Sequence, residues 1–338
     1  MTDIQRMGRH RRASSENPHP PARRRKRLAA TITVACTLAA IGVTLVVLSG
    51  WRFGLDPPAK PHNNDTLPAK PSSYIGLYVH SAPSSYSAVR GFAAATGVKP
   101  GVVVYYSGWA EAFQTGFATT VARNGGVPLV QMDPSNISLA AIAAGQYDGY
   151  LETYAKAVRA YRRPVILSFG HEMNGYWYTW GNTHTSPAAF VDAWRHIVTL
   201  FRAEGAHNVT WLWTINTIHS QTGVPPPRPW WPGNNFVTWV GIDGYYVNPS
   251  SEFTSVFGPT IAYVRTLTKK PIFIAETSAA PTTDQPAKIN DLFAGVHLYG
   301  VLGFVWFDSV DVVDWRLTSL AAIAAFRHGA ETYHLPSS

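Results

Sequence analysis

Apolar and polar positions along this 338-residue chain fall into three regimes. The first is a single uncharged run at 28–48, LAATITVACTLAAIGVTLVVL, apolar all round and so unsuited to one-sided packing. The second, residues 49–73, has no apolar period, and five prolines fall between Phe53 and Ser73. From Tyr74 onward, short apolar runs alternate with amphipathic or Ala-rich stretches. Eight runs read as strands: 74–79, 102–107, 128–133, 164–170, 209–215, 239–245, 271–276 and 303–308. Helical stretches at 84–95, 109–124, 146–161, 186–204, 253–268, 285–298 and 316–328 fall between and after them. Strands apolar on both faces and joined by helices imply a parallel sheet covered on both sides. Eight such units in about 260 residues predict an α/β fold, a (β/α)8 TIM barrel, rather than an open doubly wound sheet. The Pro-rich segment 216–235 interrupts the alternation and predicts a loop with short helical turns in place of a fifth helix.

The run at 28–48 is long enough to span a bilayer, and Arg23, Arg24, Arg25, Lys26 and Arg27 precede it. That asymmetry predicts one N-terminal transmembrane helix, with the N-terminus in the cytoplasm and the rest outside the cell. A cleaved secretory signal is the rival reading and would make the protein secreted. Its core would be unusually long, and LSGWRFGLDPP lacks a small-x-small cleavage site. The predicted order is a disordered basic cytoplasmic tail at 1–27, the anchor at 28–48 and a Pro-rich linker at 49–73. The barrel follows at 74–330, with a short C-terminal tail at 331–338.

Composition narrows the function classes. Hydrophobic residues make up 46% and charged residues 14%, which suits a large core and argues against a disordered chain. The formal charge of +8 invites a nucleic-acid reading. Residues 1–27, however, hold nine Arg/Lys against two acidic residues, so the remainder is left with +1. The sum shows no basic face for phosphate on the folded part, and no nucleic-acid partner is expected. Cys36, the chain's one cysteine, lies inside the apolar run. Intrachain disulfides, thiol catalysis and cysteine-bound metal are therefore not expected of the barrel. No GxGxxG after a strand, GxxxxGK[ST] or GxSxG occurs, and no cofactor or obligate protein partner is expected.

Two glutamates follow apolar strand runs: Glu172 in VILSFGHEMNGYWYTWG and Glu276 in PIFIAETSA. On the barrel reading both face the carboxyl-terminal mouth, after strands 4 and 7; a poorly solvated carboxylate is costly to keep there, so two of them suggest paired acid/base and nucleophile chemistry. The bland alternative is that each caps the next helix or pairs with an arginine. His171-Glu172 begins a HExxH zinc motif, but position 175 is glycine, and no metal is expected.

His171-Glu172-Met173-Asn174-Gly175, with Trp177 and Trp180-Gly181 after it, resembles the acid/base signature of glycoside hydrolase family 26. Residues 190–208, Trp231-Pro232-Gly233, Gly241-Ile242-Asp243-Gly244-Tyr245 and Glu276 are similar to the family pattern too. The likeness covers Tyr74 to about Arg327 and is strongest over 164–276. It implies a (β/α)8 retaining glycosidase, of the kind that includes β-mannanases and enzymes acting on mixed-linkage β-glucan and xylan. It implies Glu172 as acid/base and Glu276 as nucleophile, with His171 orienting nucleophile and sugar and Tyr245 contacting the nucleophile. Trp177, Trp180 and Trp306 are candidate sugar platforms, since an aromatic face covers the apolar face of a pyranose. Asp243 is a candidate for bonding the sugar or fixing Tyr245, and Asp133 and Asp308 are weaker ones. The expected substrate is a β-linked polysaccharide, β-1,4-mannan first, cut by a membrane-anchored extracellular hydrolase. The alternatives are a non-catalytic polysaccharide-binding barrel and a β-glucanase or transglycosidase acting on the cell's own surface glycan.

Overall fold

The structure, a computed structural model, describes residues 67–218 and 223–333. The predicted cytoplasmic tail, anchor and most of the linker lie outside the described residues. Among the described residues no helix is long and apolar enough to cross a membrane.

Eight strands form a closed parallel ring in sequence order: β1 (Tyr74–Val79), β2 (Val102–Gly108), β3 (Val127–Asp133), β4 (Val165–Phe169), β5 (Val209–Asn216), β6 (Trp239–Asp243), β7 (Ile272–Thr277) and β8 (Gly303–Asp308). The connecting helices are α1 (Ser87–Thr96), α2 (Thr115–Arg123), α3 (Leu139–Ala143), α4 (Asp148–Tyr161), α5 (Pro187–Ala203), α6 (Phe253–Val256), α7 (Gly258–Leu267), α8 (Gln285–Leu298) and α9 (Leu320–Thr332). The ring is the predicted barrel. Between β5 and β6 the described residues make only a 3-10 turn at Arg228–Trp230, in keeping with that segment's prolines.

Two local departures have local causes. The helix predicted over 253–268 is two helices, because Pro259 sits in the first turn of α7, where its missing N–H is tolerated but a continuous helix is not. α6 has its own start, with Glu252 and Ser255 forming a reciprocal capping box. The unforeseen α3 is a short helix capped by Ser138, whose hydroxyl accepts from Ala141 N at 3.2 Å.

Side-chain alternation divides the core in two. Val103, Tyr105, Leu167, Phe169, Trp213 and Ile274 face outward and pack with Trp194, Phe201, Phe293 and Phe326 of the helices. Tyr74, Val102, Ile166 and Trp239 fill the inside of the ring where the strands begin. Two residues further along their strands from Leu129, Ile166 and Leu212 come Gln131, Ser168 and Thr214, all buried. The interior thus turns polar toward the carboxyl-terminal mouth.

The β1–β8 seam closes tightly. Gly303 takes φ 148°, and a Cβ there would lie 1.8 Å from the carbonyl oxygen of Tyr74, so only glycine lets these strands approach. Closure leaves no strand edge for another segment to complete. Both apolar clusters lie within 67–333, so this part of the chain holds what it needs to fold as a unit. A fragment spanning 67–338 should unfold in one cooperative urea transition. Gly303→Ala should lower its stability by about 1–3 kcal/mol or more; an unshifted midpoint would show that the seam tolerates a side chain.

Candidate active site

The chain leaves β4 through Gly170 at φ 55° and reaches Glu172 at φ 54°. A glutamate in this left-handed region is uncommon and costs about 1–3 kcal/mol. The turn is over-determined: Glu172 N donates to Thr214 O at 2.9 Å, and Gly175 N donates to Glu172 O at 2.8 Å. The carboxyl group, on a residue 5% exposed, accepts from Trp177 Nε1 at 2.7 Å on Oε2 and from Asn216 Nδ2 at 2.5 Å on Oε1. Asn216 is itself held by Asn174, which accepts from its backbone N–H and donates to its carbonyl, both at 2.9 Å.

Glu276 reaches the mouth through a bulge. From Ile274 to Thr277 β7 advances three residues while its partner β8 advances only two, from Phe304 to Trp306. Against β6 the extra residue falls between Ile274 and Glu276. Ala275 packs inside the ring, and the next side chain enters the mouth as well, against strict alternation. Tyr106, on β2, donates its hydroxyl to Oε2 of Glu276, and Tyr245, just past β6, donates to Oε1. Behind Tyr245 stands Trp315, from the loop after β8, with ring centroids 4.6 Å apart.

His171 is buried beneath these groups. Its Nδ1 lies 3.0 Å from Asp133 Oδ1 and its Nε2 3.0 Å from the Tyr178 hydroxyl. With Asp133 ionised, Nδ1–H is the donor in that contact. Burial alone would lower the imidazole pKa. The carboxylates of Asp133, Glu172 and Glu276 outweigh it and leave the pKa above the ordinary histidine value.

Burial also dominates the carboxyl groups. It pushes Glu172 up to about 7, helped by the charge of Glu276 and opposed by His171, Asn216 and Trp177. Glu276 is raised by burial too, while the Tyr106 and Tyr245 hydroxyls and His171 pull it back. Asp243, fully buried on β6, is pushed well above the usual carboxylate range by burial and then by Glu276 and Glu172. Neither of its oxygens finds a hydrogen-bond partner among the described residues, which fits a neutral acid. One of the two mouth glutamates is thus poised to hold a proton near neutrality beside a second that receives two hydroxyl donors.

The other predicted residues divide. Trp177 is half-buried and bonded to Glu172. Trp180 is not a platform: it is 2% exposed, stacks on Tyr178 at 4.3 Å and 7°, and donates to the His171 carbonyl at 2.8 Å. Trp306 is not at the mouth either. Strand alternation turns it outward onto Phe326 of α9 at 5.7 Å, with 0% exposure. Asp308 accepts from Leu317 N at 2.7 Å and so holds the loop after β8. That loop also carries Asp311, whose charge raises Glu276 and whose Oδ2 is buried with no partner among the described residues. Among the described residues no three His, Cys, Asp or Glu side chains group to hold a metal.

Tyr106, Asn216, Asp311 and Trp315 went unpredicted. Asn216 shows the signal that marks Glu276, a polar residue ending an apolar strand. Tyr106 reads as one more aromatic in a strand, and Asp311 and Trp315 depend on how a loop folds back.

The family described as Glycosyl hydrolase family 26 matches residues 138–293. Endoglucanase H of Acetivibrio thermocellus is 30% identical over 270 residues, 75% of this chain and 30% of that protein. A mannan endo-1,4-beta-mannosidase of Bifidobacterium adolescentis is 24% identical over 140 residues, 38% of this chain and 14% of that protein. This chain therefore spans less than a third of either relative's length. Among solved structures, the GH26 domain of an endo-beta-mannanase/endo-beta-glucanase from Prevotella bryantii superposes with TM-score 0.58 at 14% identity, covering 76% of this chain and 89% of that one. A GH26 beta-mannanase from Bacteroides ovatus gives TM-score 0.58 at 15% identity, covering 77% and 88%.

The Glu172 shift has a consequence for stability. A pKa raised from 4.5 to about 7 on folding means that the native state binds the proton more tightly, so stability is full below pH 4.5 and falls as pH rises through 7. The loss of unfolding free energy between pH 4 and pH 8 should be smaller in Glu172→Gln than in the parent, by up to ~3 kcal/mol. Parallel curves for the two proteins would rule out the raised pKa.

Proposed function

The chain belongs to glycosyl hydrolase family 26, and from that membership we propose a retaining hydrolase of β-linked polysaccharide in which Glu172 is the acid/base and Glu276 the nucleophile. One observation carries the assignment of roles: Glu172 is held protonated near neutrality by burial, while Glu276 takes a hydroxyl donor on each oxygen. In the first step Glu276 attacks the anomeric carbon as the glycosidic C–O bond breaks, and the Glu172 proton passes to the leaving oxygen. In the second, water gives its proton to Glu172 and its oxygen to the anomeric carbon, releasing Glu276. His171, Tyr106 and Tyr245 orient Glu276 and its surroundings, and Trp177 offers a half-buried ring to a sugar.

The substrate proposed first is β-1,4-mannan, cut internally. A β-glucan reading stands beside it, favoured by the long match to an endoglucanase. The uncharged run at 28–48 behind five basic residues supports a single-pass anchor with the barrel outside the cell.

Reducing-sugar release by the 67–338 fragment from mannan, glucomannan, lichenan and xylan tests the substrate; turnover of none would remove both readings. Glu276→Ala should abolish turnover. Glu172→Ala should lose about 10²–10⁴-fold on polysaccharide and much less on an aryl glycoside whose leaving group needs no proton. Inversion at the anomeric carbon, read by NMR, would exclude Glu276 as nucleophile. Because Glu172 must be protonated for the first step, kcat/KM should fall as pH rises through about 7. Asn216→Ala, which removes a donor that favours the ionised form, should move that limb upward; a downward shift would contradict the assignment.

A further inference from the structure

The barrel's near-neutral sum conceals a division of charge between its two rims. The loops that lead into the strands, with the helix ends feeding them, carry Lys99, Arg123, Arg162, Arg163, Lys269 and Lys270. Glu204 and Glu331 are the acidic residues at that rim. At the opposite rim lie Asp133, Glu172, Glu276 and Asp311, with Asp314 paired to Arg316 at 2.7 Å. Helix ends explain part of this: Arg123, Arg159, Arg202 and Arg265 sit in last turns, where cations suit the helix dipole. Lys99, Arg162, Arg163 and Lys269 lie beyond the helices, exposed, and make no ion pair among the described residues. Between α1 and α2 a cleft of about 550 Å³ is lined by Arg90, Lys99 and Arg123 with no acidic residue, room enough for a phosphate headgroup.

The chain also joins the barrel at this rim. Ser72 N and Ser73 N donate to the carbonyls of Val301 and Leu302, which run into β8. Upstream, the linker 49–73 reaches at most ~80–90 Å even fully extended. Whatever surface residues 28–48 enter therefore stays within reach of the cationic rim.

We propose that the amino-terminal rim of the barrel is a docking surface for an anionic phospholipid bilayer, with the cleft between α1 and α2 receiving a headgroup phosphate. Docked in this way, the barrel turns its catalytic mouth away from the membrane. The proposal rests on the anchoring part of the functional reading but not on its chemistry, and a fragment without the hydrophobic run tests it apart from both.

The 67–338 fragment is sedimented with vesicles of phosphatidylcholine alone or mixed with phosphatidylglycerol, at low and at physiological salt. Binding to the anionic vesicles alone, weakened by salt, is expected. Each cation removed should weaken it about fivefold. Lys99→Gln, Arg123→Gln, Arg163→Gln and Lys269→Gln together should therefore lose more than ~100-fold, with hydrolytic activity unchanged and the urea midpoint lowered only by the loss of Arg123 from the last turn of α2. Lys288→Gln, in the first turn of α8 and away from the rim, should bind as the parent does. Equal binding to both vesicle types, or anionic binding that survives the four substitutions, would overturn the proposal. Tighter retention by a DNA duplex at the same salt would reassign the surface to nucleic acid and overturn it equally.

Discussion

In a closed parallel ring no strand can be reversed, so all eight carboxyl ends share one rim and all eight amino ends the other. That directional constraint organises the rest of the molecule. Residues that end strands, Asp133, Asn216 and Asp243, converge at one rim with the residues just past β4 and β6, Glu172 and Tyr245. Residues that precede strands converge at the other, which is also where the chain comes in. Closure through Gly303 makes this geometry rigid, because the ring interior is fixed by the register of every neighbour at once.

Electrostatics is the second constraint, and it follows from the first. A mouth that gathers strand ends gathers carboxyl groups, and the low-dielectric interior beneath cannot hold several of them ionised. The protein divides the burden unevenly. Asp243 finds no donor among the described residues and its carboxyl is pushed well above the usual range, Glu276 receives two tyrosine hydroxyls, and Glu172 receives an indole and an amide that only partly offset its burial. His171, pinned between Asp133 and Tyr178, contributes positive character beneath both glutamates without reaching solvent itself. The left-handed backbone at Glu172 belongs to the same arrangement, since the carboxyl group it carries meets Asn216 at the end of β5.

Much of this is legible in the amino-acid sequence, because period and punctuation carry it. Eight apolar runs bounded by glycine, proline and asparagine specify the ring, and a carboxylate closing an apolar run marks both glutamates. Tryptophan is harder to read, for a physical reason. An indole is as useful in a core as on a sugar; strand parity places Trp306 against α9, while Trp177 reaches Glu172 only through the way the loop after β4 folds. Tyr106 carries no local mark, since its significance lies in a partner 170 residues away. The division of charge is hidden for a different reason: a sum over the domain erases where the charges stand, and only the topology sorts them by rim.

The bulge in β7 has a consequence of a different kind. Direction along a strand is a two-valued property, inward or outward, so the facing of Glu276 is a matter of counting parity more than of the contacts that later hold it. Ala275, an unremarkable methyl group, therefore acts as a spacer that inverts the phase of everything after it. Information about the candidate site is stored here in the number of residues rather than in their chemistry. A comparison that weighs only side-chain identity would score this position as featureless, although pairing it in regular alternation, without the bulge, would turn Glu276 toward the helices while every functional group remained in the chain.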